Sequence, residues 1–201
     1  MTEEQRETQT ELLSRLDLIE SMVREGRRRT EYWGWNFVLW GAAYLIAIGW
    51  SHTSLKPQIA WPVTMIAAWI LTMALAGRKK KGTPKTPISR AVGAIWIAVA
   101  SAIFIFCFAA GSSGHAEMHI FWTGIEILLG VANCASSLVL RWRAQFLMAL
   151  VWWISAVATS FVSVQAIIPI VIADTFICLI GFGLYLMYCE RRDRQRRERY
   201  A

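Results

Sequence analysis

Residues 144–189 read AQFLMALVWWISAVATSFVSVQAIIPIVIADTFICLIGFGLYLMYC, and the only charged side chain in them is Asp174. A spanning helix needs about 20 apolar residues to cross about 30 Å of hydrocarbon, because every backbone amide must find its partner inside the segment. This run is about twice that length. Ser163, Gln165 and Pro169 supply a tight reversal near its middle, so it predicts two spans, about 144–164 and 167–188.

Working outward, four more charge-poor stretches have spanning length: about 32–50, 58–76, 90–110 and 120–140. The chain is 56% hydrophobic and holds 11 Trp in 201 residues, more apolar surface than one soluble domain of this length buries. The expected fold is an all-α polytopic membrane bundle of six transmembrane helices arranged as three hairpins. It divides into a segment 1–30 (amphipathic helix and basic linker), a membrane domain 31–189 and an Arg-rich tail 190–201.

Charge sets the expected orientation. Of 21 Lys and Arg, 20 fall in four clusters: the N-terminal segment from Arg6 to Arg29, Arg78 to Arg90, Arg141 with Arg143, and Arg191 to Arg199. Lys56 is the exception. Basic residues collect in cytoplasmic loops, which places all four clusters and both termini inside a cell inner (plasma) membrane and demands an even number of crossings. The first 31 residues are polar, so the first span is expected to act as signal anchor. Arg27, Arg28, Arg29, Lys79, Lys80, Lys81, Arg191, Arg192 and Arg194 are then lipid or partner contacts at anionic headgroups; no nucleic acid is expected.

Leu12, Leu16, Ile19 and Val23 recur at helical steps, and Glu11/Arg15 and Glu20/Arg24 are i,i+4 pairs in the favourable order. They predict a cytoplasmic amphipathic helix. It would rest on the bundle base or membrane surface, or pair with a protein partner or a second copy. Cys107, Cys134, Cys178 and Cys189 lie in spans or at an inner edge and read as packing residues.

The candidate chemistry lies in two carboxylates. Glu126 and Asp174 are the only acids inside spans, both roughly 6 Å to the outer side of the midplane at 1.5 Å per residue. Such a group is costly unless neutral, paired or wetted, so it faces the bundle interior. Glu126, Gly130, Asn133 and Ser137 share one helical face, and Asp174, Cys178, Gly181 and Tyr185 repeat that spacing. No intramembrane Lys, Arg or His is available as counter-ion. The two acids therefore either bind a cation, proton or polar solute, with Asn133 assisting, or act as neutral hydrogen-bonding groups that fix helix packing.

A faint repeat, Trp96-Ile97-Ala98 against Trp153-Ile154-Ser155 with Trp40-Gly41-Ala42 as a third copy, would superpose parallel hairpins and set Glu126 opposite Asp174. All three histidines, His52, His115 and His119, fall in predicted outer loops. With the fourth span extended to Gly114 and capped by Ser113, His115 and His119 would continue the Glu126 face as a metal or pH site with His52, or remain solvated loop residues. Trp33, Trp35, Trp50, Trp61, Trp122 and Trp142 suit an interfacial belt. Trp40, Trp69, Trp96, Trp152 and Trp153 lie deeper, as packing or cavity lining.

Haem and retinal binding would need a His or Lys inside a span, and hydrolytic and phosphate-loop motifs are absent. Neither an enzyme nor a cofactor is expected. Two functions remain: a transport or solute-binding module using the buried carboxylates in an outward-facing cavity, or a sensor, scaffold or assembly subunit acting through its cytoplasmic elements. In size, span number and inside termini the chain resembles the substrate-capture subunits of energy-coupling factor transporters. The likeness is architectural and carries no residue over.

Overall fold

The computed structural model describes residues 9, 11–23, 33–53, 57–78, 87–113 and 117–198. These are helical with short connections, and no strand occurs among them. We label the helices α1 (residues 11–23), α2 (Gly34–Thr53), α3 (Pro57–Arg78), α4 (Pro87–Ser113), α5 (Met118–Leu140), α6 (Arg143–Phe161), α7 (Val164–Asp174) and α8 (Phe182–Glu198), with a π-helical segment Thr175–Gly181 joining α7 to α8.

Among the described residues, five stretches are long and apolar enough to cross a membrane: Ile59–Ala76, Pro87–Ala110, Met118–Leu140, Arg143–Phe161 and Val164–Asp193. The last is a single continuous element through α7, the π segment and α8. The chain is thus a helical membrane bundle. α2 is not among the five; Asn36, Trp35, Trp40 and Trp50 lower its hydropathy. It has 20 residues and packs against α3, α8 and the π segment.

Tight connections fix the α5–α6–α7 core. Arg141 adopts the left-handed conformation (φ 49°), its N–H reaching the carbonyls of Leu138 and Ser137, and the Trp142 N–H bonds Ser137 O at 2.9 Å. This closes the last turn of α5 in the manner of a left-handed C-cap and starts α6 two residues later. The antiparallel register follows from the Thr123 and Ser160 hydroxyls at 3.2 Å and from the Trp153 Nε1–H, which donates to Ile127 O at 3.4 Å. Trp153 comes this close because residue 130 is Gly: a Cβ there would overlap the indole nitrogen. The α6–α7 reversal is made by Val162 and Ser163 in extended conformation. Gln165 and Pro169, expected at the reversal, instead sit within α7, where Pro169 removes one intrahelical bond and its ring crowds the carbonyl four residues earlier.

α2 and α8 touch backbone to backbone. A Cβ on Gly34 would meet Gly183 O at 2.7 Å, and one on Gly183 would meet Gly34 O at 2.8 Å. On the α2–α3 side the Trp40 Nε1–H donates to Thr72 Oγ1 (3.2 Å), whose hydroxyl donates to Asn36 Oδ1 (3.1 Å). Asn36 is therefore a cross-helix tie.

Edge-to-face rings join Tyr44, Trp61, Trp122 and Phe121, and a second set joins Trp96, Phe37 and Phe182. Trp122 and Trp142, expected in the interfacial belt, are buried in this core. Their indoles pack on Trp61, Phe121 and Phe182, which bury more ring area than an interface does. Trp33 and Trp69 are exposed.

α1 carries its predicted apolar stripe and the Glu11–Arg15 pair at 2.6 Å. Residues 11–21 are exposed throughout, so the helix does not rest on the bundle base. Arg24 lies outside the described residues, as do Arg27, Arg28, Arg29, Lys79, Lys80 and Lys81.

Candidate functional site

Glu126 on α5 and Asp174 at the end of α7 are both buried, at 1% and 3% exposure. They converge on one face of α6. The Ser155 hydroxyl donates to Asp174 Oδ1 at 2.7 Å, and the Thr159 hydroxyl, one turn further along α6, donates to Glu126 Oε1 at 3.2 Å. Residues four apart on a helix are stacked neighbours, and α5 also packs against α7. The two carboxyls therefore occupy adjacent levels of one three-helix junction.

Each carboxyl is half satisfied. Glu126 Oε2 and Asp174 Oδ2 have no hydrogen-bond partner. The remaining buried unpartnered side-chain atoms among the described residues are Asn133 Oδ1, Ser136 Oγ, both amide atoms of Gln145, and Trp152 Nε1. All belong to α5, α6 and α7. Leaving one such group unsatisfied costs about 1–3 kcal/mol, and native structures hold few of them. Their confinement to these three helices sets this seam apart from the rest of the described residues.

On α5 the expected face is formed: Glu126, Gly130, Asn133 and Ser137 are all buried. Asn133 spends its amide N–H on Leu129 O at 2.9 Å, inside its own helix, and does not hydrogen-bond either acid. On the other acid's element the expected face fails. Asp174 and Cys178 are buried, but Gly181 and Tyr185 are exposed, and Phe182 and Leu186 take their places. The cause is the π segment that begins at Thr175. Its i→i+5 bonding widens the turn, so the buried positions run 174, 178, 182 and 186 rather than at the α-helical 4, 3, 4 steps assumed from the sequence. π segments inside α-helices occur frequently at functional sites, and this one starts beside a candidate acid.

The histidine extension is not formed as expected. α5 begins at Met118 with Glu117 as N-cap residue, while Ser113 is the last residue of α4. α4 continues to Ser113, so the residue expected to cap α5 is taken up in the end of the preceding helix. His119 Nε2 lies 2.9 Å from Val162 O, tying the start of α5 to the α6–α7 reversal. His52 is exposed in the last turn of α2, and His115 lies outside the described residues. Among the described residues no three His, Cys, Asp or Glu side chains come together as a metal shell. Arg191 and Arg192 are exposed on the extension of α8, which Arg194 shares.

Sequence reasoning missed Ser155, Thr159 and Gln145. Ser155 and Thr159 were detectable as hydroxyls four apart in a span lying between two acid-bearing spans. Gln145, fully buried, was obscured by its position beside Arg143. No protein family, curated protein or solved structure matches the chain, so the architectural resemblance rests on length and span count alone.

Proposed function

We propose that this protein is a non-catalytic membrane transport or solute-binding module that takes up a cation or proton at Glu126 and Asp174. In this reading α2 completes six spans, both termini face the cytoplasm of a cell whose inner membrane holds the protein, and the acids lie in the outer half of the bilayer. The observation that carries it is the pairing of two buried carboxyls on adjacent levels of α6, each with one oxygen unpartnered. A group kept only for packing gains most by satisfying both oxygens. A site that exchanges a small cation keeps one free for the ion, and Ser155 and Thr159 hold the other in place.

The test uses purified protein in liposomes, with trapped pH-sensitive dye for protons and radioactive sodium for cations, under an imposed potential. Wild type is expected to pass one of them. Glu126→Gln and Asp174→Asn, retaining wild-type helicity and elution, are expected to reduce the flux to background. Equal flux in wild type and both variants removes the case.

The exposed apolar stripe of α1 supports a second reading, a sensor, scaffold or assembly subunit with a cytoplasmic protein partner or a second copy as its contact. Deleting residues 1–25 is then expected to release a co-purifying protein or dissociate an oligomer, while Glu126→Gln changes neither. Failure to recover any such partner or oligomer from the intact chain ends that reading.

A further inference from the structure

The unpartnered polar atoms are not scattered around the acid pair. They extend from it in one direction. On α6, Gln145, Ala149, Trp152, Ala156 and Thr159 are buried at steps of four and three residues, a single face. On α5, Glu126, Leu129, Asn133, Ser136 and Leu140 do the same. The antiparallel register places Thr159 level with Glu126, and Trp152, Asn133, Ser136 and Gln145 at successive levels toward the Arg141 turn. Along α6 this series is roughly 21 Å long at 1.5 Å per residue, most of the way from the acids to the end of the span.

We propose that Asn133, Ser136, Trp152 and Gln145 line a polar path through which the Glu126–Asp174 pair exchanges protons with the side of the membrane that holds Arg141 and Arg143. The inference rests on the proposed function and assigns its inner route. Each of the four is at least nine-tenths buried and keeps a donor or acceptor with no protein partner. Buried polar groups of this kind are normally satisfied by internal water, and a file of such waters carries protons. Gln145 supplies a donor and an acceptor at the inner end, Ser136 Oγ both from one atom, Asn133 Oδ1 an acceptor and Trp152 Nε1 a donor. One proton leaves a carboxyl at its free oxygen, passes to the first water and is released inside, leaving a carboxylate that Ser155 or Thr159 stabilises by the hydrogen bond already in place.

Potential-driven proton flux in oriented vesicles tests it, alongside the infrared band of the protonated carboxyls. Gln145→Met and Asn133→Leu are expected to reduce flux at least tenfold while the carboxyl band still responds to pH on the outer side, and Gln145→Glu, which keeps a polar end, to retain most of it. If Gln145→Met does not fold, Ser136→Ala, too small a change to disturb packing, is expected to slow flux severalfold. Flux lost in Glu126→Gln but unchanged in the Gln145, Asn133 and Ser136 variants overturns the path and leaves the acid site standing. A wild-type protein that passes no protons overturns the path and the proton reading of the site together.

Discussion

α4 and α5 are neighbours in sequence and in space, yet they solve the membrane problem in opposite ways. Only 11% of the α4 span is buried within the protein, against 50% of α5. Ile97, Phe104, Ile105 and Phe108 of α4 are all at least 66% exposed, an apolar surface of the kind that lipid accepts. α5 buries Glu126, Asn133, Ser136 and Ser137, which lipid cannot satisfy. Apolar length is enough to hold a helix in the bilayer, whereas polar content has to be enclosed by other helices. Both candidate acids lie in the enclosed part of the bundle.

Paired substitutions can break or sharpen this contrast. The largest difference is expected between Leu186→Ala, at a fully buried position, and Phe104→Ala, at 73% exposure. The first is expected to cost about 2–5 kcal/mol and the second to stay within about 0.5 kcal/mol, by reversible unfolding in mixed micelles. Equal losses would mean that α4 is covered by protein. Next are the glycines. Gly183→Val drives a side chain into the backbone of α2 and is expected to destabilise by about 1–3 kcal/mol. Gly93→Ala in α4, with nothing within 4 Å of the new carbon, is expected to be neutral or to stabilise by up to about 1 kcal/mol.

The smallest effects compare hydrogen bonds. Ser155→Ala removes the 2.7 Å donor to Asp174 and is expected to cost about 1–3 kcal/mol, leaving a buried carboxyl with no partner. Thr72→Val breaks the tie to Asn36 at the edge of the bundle, for about 0.6 kcal/mol, a usual value for one interhelical bond in a membrane. Thermal melts in a single detergent would rank the two, and the reverse order would move the polar core to the α2–α3 side.

The bundle was legible because lipid imposes a crude rule, apolar length between basic clusters, that 201 residues of sequence display openly. The Glu126 face of α5 was legible for the same reason that any regular α-helix is: its spacing is fixed by geometry. The partners of the acids were not. Ser155 and Thr159 are common small residues in a Trp-rich span, and only the packing of α6 between α5 and α7 gives them a role. The face below Asp174 was misread because nothing in TFICLIG announces a π segment. The histidine extension failed where two helix ends had to be placed within a short polar connection, and such ends depend on tertiary contacts such as that of His119 with Val162.

The π segment also gives the last span one residue more than an α-helix needs to present the same face. Removing one residue between Thr175 and Gly181 would let the chain relax to ordinary α geometry, and Phe182 and Leu186 would then stand seven and eleven positions after Asp174, on the face that an α-helix repeats. Both side chains would stay in the core, and Gly183 would stay against Gly34. A single-residue deletion is thus better tolerated there than within α5 or α6, where it would turn everything beyond it by roughly 100°.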